Sequence, residues 1–289
     1  FAGKEGKIIQ STKIRERLIK ETLSNVALQV EDTDDANVFL VKGRGEFQMV
    51  ILIETLRREG FELSVGRPQV IYKEVNGKLL EPVERLFVDC DETFVGIVTE
   101  KLSTRKGRMM NLVNHGTGRV RMEFSIPSRG LIGYRNEFLT DTKGTGMMNS
   151  YLQGYEEYRG DFPLRLTGSM VADRQGVAVS YALFNLEPRG VLFINPGTPV
   201  YEGMIVGEHN RANDMNVNAC KEKKLTNMRS SNKDDGIMLT PVLPMTLEKA
   251  IEFIREDELV EVTPKSIRLR KAILDPNERK KASRKKEAA

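Results

Sequence analysis

Residues 209–235, HNRANDMNVNACKEKKLTNMRSSNKDD, gather the side chains of this chain that are best suited to chemistry. The stretch holds six asparagines and six lysines or arginines. That chemistry is binding, not bond-making. Arg211, Lys221, Lys223, Lys224, Arg229 and Lys233 supply cations for phosphates. Asn213, Asn216, Asn218 and Asn227 supply amides for sugars, phosphates or base edges, a set that suits RNA. Met215 and Val217 read as packing for the root of the segment or as contacts to a base face. A structureless stretch this long is uncommon inside a compact domain unless it is functional or disordered. On composition alone, a mobile surface loop is the alternative. A second basic cluster, Arg105, Lys106 and Arg108, falls at the end of a predicted helix and reads either as a phosphate contact or as a solvated helix end. A third block, 279–289, carries Arg279, Lys280, Lys281, Arg284, Lys285 and Lys286. It reads as a disordered, solvated tail that can add sequence-independent RNA affinity.

Bond-breaking chemistry finds no comparable grouping. There is no G-x-x-x-x-G-K-[ST] loop to cradle a nucleotide. Gly43-Arg44-Gly45 imitates the start of a dinucleotide fingerprint, but position 48 is Gln, and a tight turn explains both glycines. Gly144-Thr145-Gly146 is likewise a turn. The two histidines, His115 and His209, have no second ligand at metal spacing. His115 falls in a predicted hairpin turn, and His209 reads either as an RNA contact or as an exposed loop residue. Cys90 and Cys220 lie far apart without a C-x-x-C, which implies neither a disulfide framework nor a zinc site and fits a reducing cytosol. The carboxylates show no acid/base pattern. The chain itself is therefore expected to be no enzyme, with no catalytic residue, metal or cofactor of its own.

The elements that must position these groups fall into three sections. A chain of 289 residues, 39% hydrophobic and 30% charged, suits a globular protein of two or three domains. No apolar run approaches the ~20 residues needed to span a bilayer, and no signal peptide is visible. The chain opens at Phe1, not Met, which predicts that it belongs to a longer protein. Residues 1–78 read as helix 11–25 capped by Ser11 or Thr12, strands 26–31 and 37–42, helix 45–59 stopped by Gly60, and strands 61–65 and 69–75. This is a split βαβ pattern without its opening strand, again predicting truncation. Residues 79–162 read as strand 83–90, helix 92–105, hairpin 108–114/119–126, a helix to about 139 and strand 146–155, a full βαββαβ. Residues 163–289 read as short strands 177–185, 190–194, 198–206, 237–243, 258–262 and 265–270, with helix 247–255 capped by Thr246, and suggest a small barrel or sandwich. The 209–235 loop is inserted between its strands. The expected class is α+β: two ferredoxin-like modules, the first lacking its opening strand, then a mainly β, barrel-like C-terminal domain.

Three runs carry a family resemblance. GRGEFQMVILIETLRREGFELSVGRPQVIYKE (43–74) resembles the third domain of elongation factor G and its relatives. STRKGRMMNL (103–112) with GRVRMEFSIPSRGLIGYRNEFLTDTKGTG (118–146) resembles the fifth domain of the same translational GTPases. NLEPRGVLFINPGTPVYEGMIVGEHNRANDMNVNACKEKKLTNMR (185–229) and MTLEKAIEFIREDELVEVTPKSIRLRK (245–271) resemble the C-terminal domain particular to the BipA/TypA family, which elongation factor G lacks. By this resemblance the chain is the C-terminal half of a member of that family. The resemblance implies a bacterial ribosome-binding GTPase linked to stress adaptation, virulence regulation and large-subunit assembly. It also implies that the GTPase and second domains, with their GTP and Mg, lie outside this chain. The family's third and fifth domains lie against ribosomal RNA and proteins, which gives Arg105, Lys106 and Arg108 a possible RNA contact. Its C-terminal domain reaches A-site tRNA through a long loop, here 209–235. The implied protein is cytoplasmic, ribosome-associated, monomeric and without a membrane partner. Because ordering such a loop costs about 1–2 kcal/mol per residue of backbone, it is expected to be mobile when free and to order on the ribosome. The residues leave one alternative open, a protein-interaction module in which the basic loop is incidental.

Overall fold

The computed structural model describes residues 2–114, 116–163, 165–223 and 238–287. His115 and the predicted contacts Lys224, Asn227, Arg229 and Lys233 lie outside the described residues. The chain forms two compact units, residues 1–67 with 166–289, and residues 68–165.

The first unit begins with α1 (Ser11–Ser24), β1 (Gln29–Asp32), β2 (Phe39–Lys42), α2 (Glu46–Arg58) and β3 (Leu63–Val65). The N-cap of α1 is Gln10, without a side-chain cap, and not Ser11 or Thr12. Leu18 of α1 and Leu52 and Leu56 of α2 meet Leu28 and Phe61 in a small core. β1 and β2 form an antiparallel ladder of their own, and β3 pairs elsewhere, as described below.

The second unit is built from β4 (Lys73–Val75), β5 (Lys78–Asp91), α3 (Val95–Thr104), β6 (Arg108–Asn114), β7 (Arg119–Pro127), α4 (Ser128–Leu131), α5 (Tyr134–Asp141) and β8 (Met147–Glu157). β5 pairs antiparallel with β7 on one side and β8 on the other, and β6 pairs with β7. The spatial order β8-β5-β7-β6 is the ferredoxin-like arrangement the βαββαβ pattern predicts. Alternation explains it: Leu86, Val88 and Cys90 on β5, with Val120, Met122 and Phe124 on β7, turn one face of the sheet toward Val98 and Leu102 of α3 and Tyr134 and Phe138 of α5.

The first unit resumes with β9 (Gly168–Ala172), β10 (Gly176–Val177), α6 (Ser180–Leu186), β11 (Gly190–Leu192), β12 (Pro199–Val200), β13 (Met204–His209), β14 (Met215–Val217), α7 (Leu247–Phe253), β15 (Glu258–Val262), β16 (Ile267–Lys271) and α8 (Pro276–Glu287). One sheet runs β14-β9-β13-β16-β15-β3, with β11 also on β13. Its central strands are buried on both faces. Met170, Ala172, Met204 and Val206 enter one core with Leu183 of α6. Val171 and Ile205 enter another with Ile53 of α2 and Leu247 and Ile251 of α7.

The mixed α+β class is as expected, but among the described residues the strands form an open sheet and not a closed barrel. Closure would require β14 to meet β3 across the sheet. Instead β14 lies parallel on β9, and β3, supplied by the N-terminal section, covers the far edge of β15. Two further expectations change. The predicted strand 177–185 becomes β10 followed by α6, because Ala182, Leu183 and Leu186 recur at helical spacing and bury together. The predicted disordered tail is helical as far as Glu287. Pro276 opens α8, and Asp275 Oδ1 accepts from the amides of Asn277 at 2.6 Å and Glu278 at 3.0 Å, which caps it. The expected cap of α7 is present, with Thr246 Oγ1 accepting from the Lys249 amide at 3.3 Å.

Candidate nucleic-acid interface

The segment that leaves β13 is an anchored structure at its root. Residues 210–214 cross the end of β9, and β14 then runs parallel to it. The crossing depends on Gly168, whose amide donates to Arg211 O at 2.6 Å. A Cβ at that position would stand 2.1 Å from Asn213 O, so any other residue would push the segment away. His209, expected to be an exposed loop residue or an RNA contact, is only 3% exposed. Its Nδ1 donates to Asn213 O at 2.7 Å and ties off the turn. Val217 is buried and Met215 packs beside it, so both take the packing role anticipated for them.

Beneath this turn lies a buried ionic cluster. Lys271, 1% exposed, places its Nζ 2.5 Å from Asp214, 2.8 Å from Asp257 and 2.9 Å from the fully buried Glu258. Glu258 also accepts from Ser169 Oγ at 2.7 Å and from the Arg255 amide at 2.8 Å. Asp214 Oδ1 accepts from the Ser169 amide at 2.9 Å. Burial on its own would lower the Lys271 pKa, but Glu258, Asp214 and Asp257 outweigh it and hold the ammonium above its ordinary range. One cation thus joins β16, the start of β15, β9 and the turn at 210–214. Neither Lys271 nor its three carboxylate partners stood out in the sequence, because they are scattered between positions 214 and 271 and only the folded sheet brings them together.

The predicted RNA-binding residues divide accordingly. Arg211 and Asn213 have exposed side chains on the turn. Asn216 is also exposed, but its Oδ1 accepts from Arg279 Nη2 at 2.9 Å. Asn218 Oδ1 accepts from the Cys220 amide at 2.9 Å, a local turn-forming bond. Lys221 and Lys223 are exposed. The Asn216–Arg279 bond ties the start of α8 to β14, so the basic helix departs from the root of the same segment.

The cluster at the end of α3 does not hold together as a cationic patch. Arg105 is 9% exposed. It donates to Gly130 O at 3.0 Å, Ile132 O at 3.2 Å and Glu137 at 2.8 Å, and lies 5.2 Å from the Tyr134 ring centroid. Its expected RNA contact gives way to a structural role, because its guanidinium satisfies the carbonyls that connect α4 to α5. Lys106 is half-buried in a left-handed conformation, with φ +64°. Its carbonyl accepts from Arg159 at 3.0 Å. Arg108 is exposed at the start of β6. Among the described residues no group of His, Cys, Asp and Glu side chains is arranged to hold a metal ion. No described helix is long and apolar enough to cross a membrane.

Comparison with known proteins fits this architecture. Residues 78–166 match the family described as elongation factor G C-terminus, which places the ferredoxin-like unit in the class of elongation-factor-G-type C-terminal modules. Residues 167–276 match the family described as TypA/BipA C-terminal domain. The chain is 51% identical over 285 residues to the "Large ribosomal subunit assembly factor BipA" of Escherichia coli (strain K12), covering 98% of this chain and 47% of that protein. The protein of the same name from Salmonella typhimurium (strain LT2) is 50% identical with the same coverage. That from Haemophilus influenzae is 51% identical, over 98% of this chain and 46% of its own. The chain belongs to the TypA/BipA family. It spans about half the length of the curated relatives it matches.

Proposed function

We propose that this chain is the ribosome-binding, RNA-contacting portion of a translational GTPase that acts in large-subunit assembly. Its partners in this reading are ribosomal RNA, ribosomal proteins near the factor site and A-site tRNA. The relatives' name, large ribosomal subunit assembly factor, supplies the ribosome. The observation that carries the RNA contact is the rigid root of residues 209–235, from which Lys221 and Lys223 project into solvent without an ion pair among the described residues. A fixed base under exposed cations suits phosphate binding, since released counterions provide the affinity and the base provides direction. Lys224, Asn227, Arg229 and Lys233, which lie outside the described residues, are assigned RNA contacts in the same reading, as are Arg211 and Asn213 on the turn. Arg108 and Lys106 are assigned separate contacts within the unit 68–165. Asn216 and Asn218 support the segment from within. GTP and Mg are assigned to the part of the relatives' length that this chain does not span, and this chain breaks no bond. Stress adaptation and virulence regulation follow as consequences of acting on the ribosome in the cytoplasm, as a monomer.

The test is ribosome binding across a range of salt concentrations. Replacing Lys221, Lys223, Lys224 and Arg229 together by Ala should weaken binding. It should also flatten the log–log salt slope by roughly 0.7–0.9 for each phosphate left without its cation. Unchanged affinity and slope would remove the segment from the interface.

A further inference from the structure

The ferredoxin-like sheet has a second face that the proposed contacts do not use. The alternation that buries Leu86, Val88 and Met122 sends Phe87, Arg121 and Tyr151 to the side away from α3 and α5. On that side Arg85 stands opposite Tyr151, Phe87 opposite Asn149, and Asp89 opposite Arg121. The rings of Phe87 and Tyr151 lie nearly parallel, with centroids 6.0 Å apart and planes 25° from each other. The Arg121 guanidinium sits 5.4 Å from the Phe87 ring centroid. Tyr151 is 54% exposed. β6 places Arg108 and Asn111 on the same face, opposite Ser125 and Glu123.

The charges on this face do not cancel. Arg85 is paired with Glu123 at 2.9 Å, and Arg119 with Asp89. Arg121 and Arg108 have no carboxylate partner among the described residues, and both are exposed. One unneutralised guanidinium, Arg121, therefore sits beside two near-parallel aromatic rings, and a second, Arg108, stands on the same sheet face at β6, two strands from Phe87. Apolar side chains of a protein would satisfy the rings but leave the arginines unpaired. Unpaired nucleotides satisfy both, since every base presents a π-face to a ring or a guanidinium plane and every linkage presents a phosphate to a cation.

We propose that this sheet face is a binding site for unpaired RNA nucleotides. A base stacks on Tyr151 beside Phe87, and Arg121 and Arg108 meet the adjoining phosphates. The site is separate from residues 209–235 and stands or falls without them.

The test uses the full chain and a fluorescein-labelled oligouridylate, followed by anisotropy across salt. It is made in the background that carries Ala at Lys221, Lys223, Lys224 and Arg229, so that failure of the loop reading leaves this measurement intact. Tyr151→Ala should weaken binding by about 5- to 150-fold, the range over which a single stacked base contributes. Tyr151→Phe, which keeps the ring, should bind as the background does. Arg121→Ala should flatten the log–log salt slope by about 0.7. Absence of oligouridylate binding in this background overturns the proposal. So does unchanged affinity and slope in both the Tyr151→Ala and Arg121→Ala variants, or equal affinity for duplex RNA. A face that ignores oligouridylate yet retains a ribosomal protein after nuclease treatment would overturn it in favour of a protein partner.

Discussion

Replacing Lys271 by Met tests whether the buried cluster holds the root of the RNA-contacting segment. The substitution keeps the length and most of the volume of the side chain and removes only the ammonium. Glu258, fully buried, then loses its ammonium partner, while Asp214, partly exposed, keeps the Arg255 guanidinium at 3.9 Å. Asp257, with a side chain 55% exposed, can turn to water and contributes little. Removing one partner of a buried ion pair costs about 3–5 kcal/mol, because the remaining charge stays buried. The chain has no Trp and two compact units, so one optical transition would not isolate the effect. Hydrogen exchange resolves it. The Ser169 amide donates to Asp214 Oδ1 at 2.9 Å and the Gly168 amide to Arg211 O at 2.6 Å, so both report on the turn directly. A destabilisation of about 3 kcal/mol would speed their exchange by roughly 150-fold. Adding Glu258→Gln should recover part of it, a coupling of about 0.5–3 kcal/mol. The pH dependence has a definite sign. The folded pKa of Lys271 is raised, so its contribution is complete below the ordinary lysine value and is lost as pH rises through the folded one. The wild-type unit should therefore weaken in strongly alkaline solution through a step that Lys271→Met lacks. Exchange at Ser169 and Gly168 within a few-fold of wild type would refute the reasoning.

Two further predictions concern stability. Glu5 is bonded to Arg268, Thr263 and Ser266. Burial opposes its ionisation, but Arg268 and Thr263 prevail and lower its pKa to about 2. Its contribution, at most about 3 kcal/mol, is complete above the ordinary carboxylate value and is lost as pH falls from there through about 2. In an acid titration followed by circular dichroism, Glu5→Gln should lack that part of the acid transition, and an identical acid limb would count against it. Arg105→Ala should destabilise the unit 68–165 by about 2–3 kcal/mol, read by hydrogen exchange of its β5 and β7 amides, since it leaves Gly130 O and Ile132 O without their donor, while Glu137 keeps Lys101 at 2.7 Å. Arg108→Ala should stay within about 0.5 kcal/mol of wild type. Equal effects would contradict the division between a structural and an exposed arginine.

The sequence by itself determined the elements whose burial is periodic and local. The alternation through β7 and the helical spacing of Phe94, Val98 and Leu102 predict the central elements of the ferredoxin-like unit, because β7 and α3 each have one wet and one dry face. The stretch 177–185 misled because its short apolar run fits a strand or a helix equally well, and burial against the sheet decides for α6. The cationic composition of 209–235 was plain in the sequence, and packing was one of the two roles it offered for Met215 and Val217.

Tertiary structure alone decided which polar residues are free and which are committed. Arg105 looked like Arg108 until α4, α5 and the link between them supplied three acceptors. His209 looked exposed until Asn213 folded back onto it. Lys271 ends a strand rich in basic residues and gave no sign that three carboxylates from distant positions would surround it. β3 had no reason in its own sequence to join β15. In each case the partner lies far along the chain or across a turn. A polar side chain's fate depends on the donor or acceptor that folding brings to it, and that is set by long-range geometry and not by residue type.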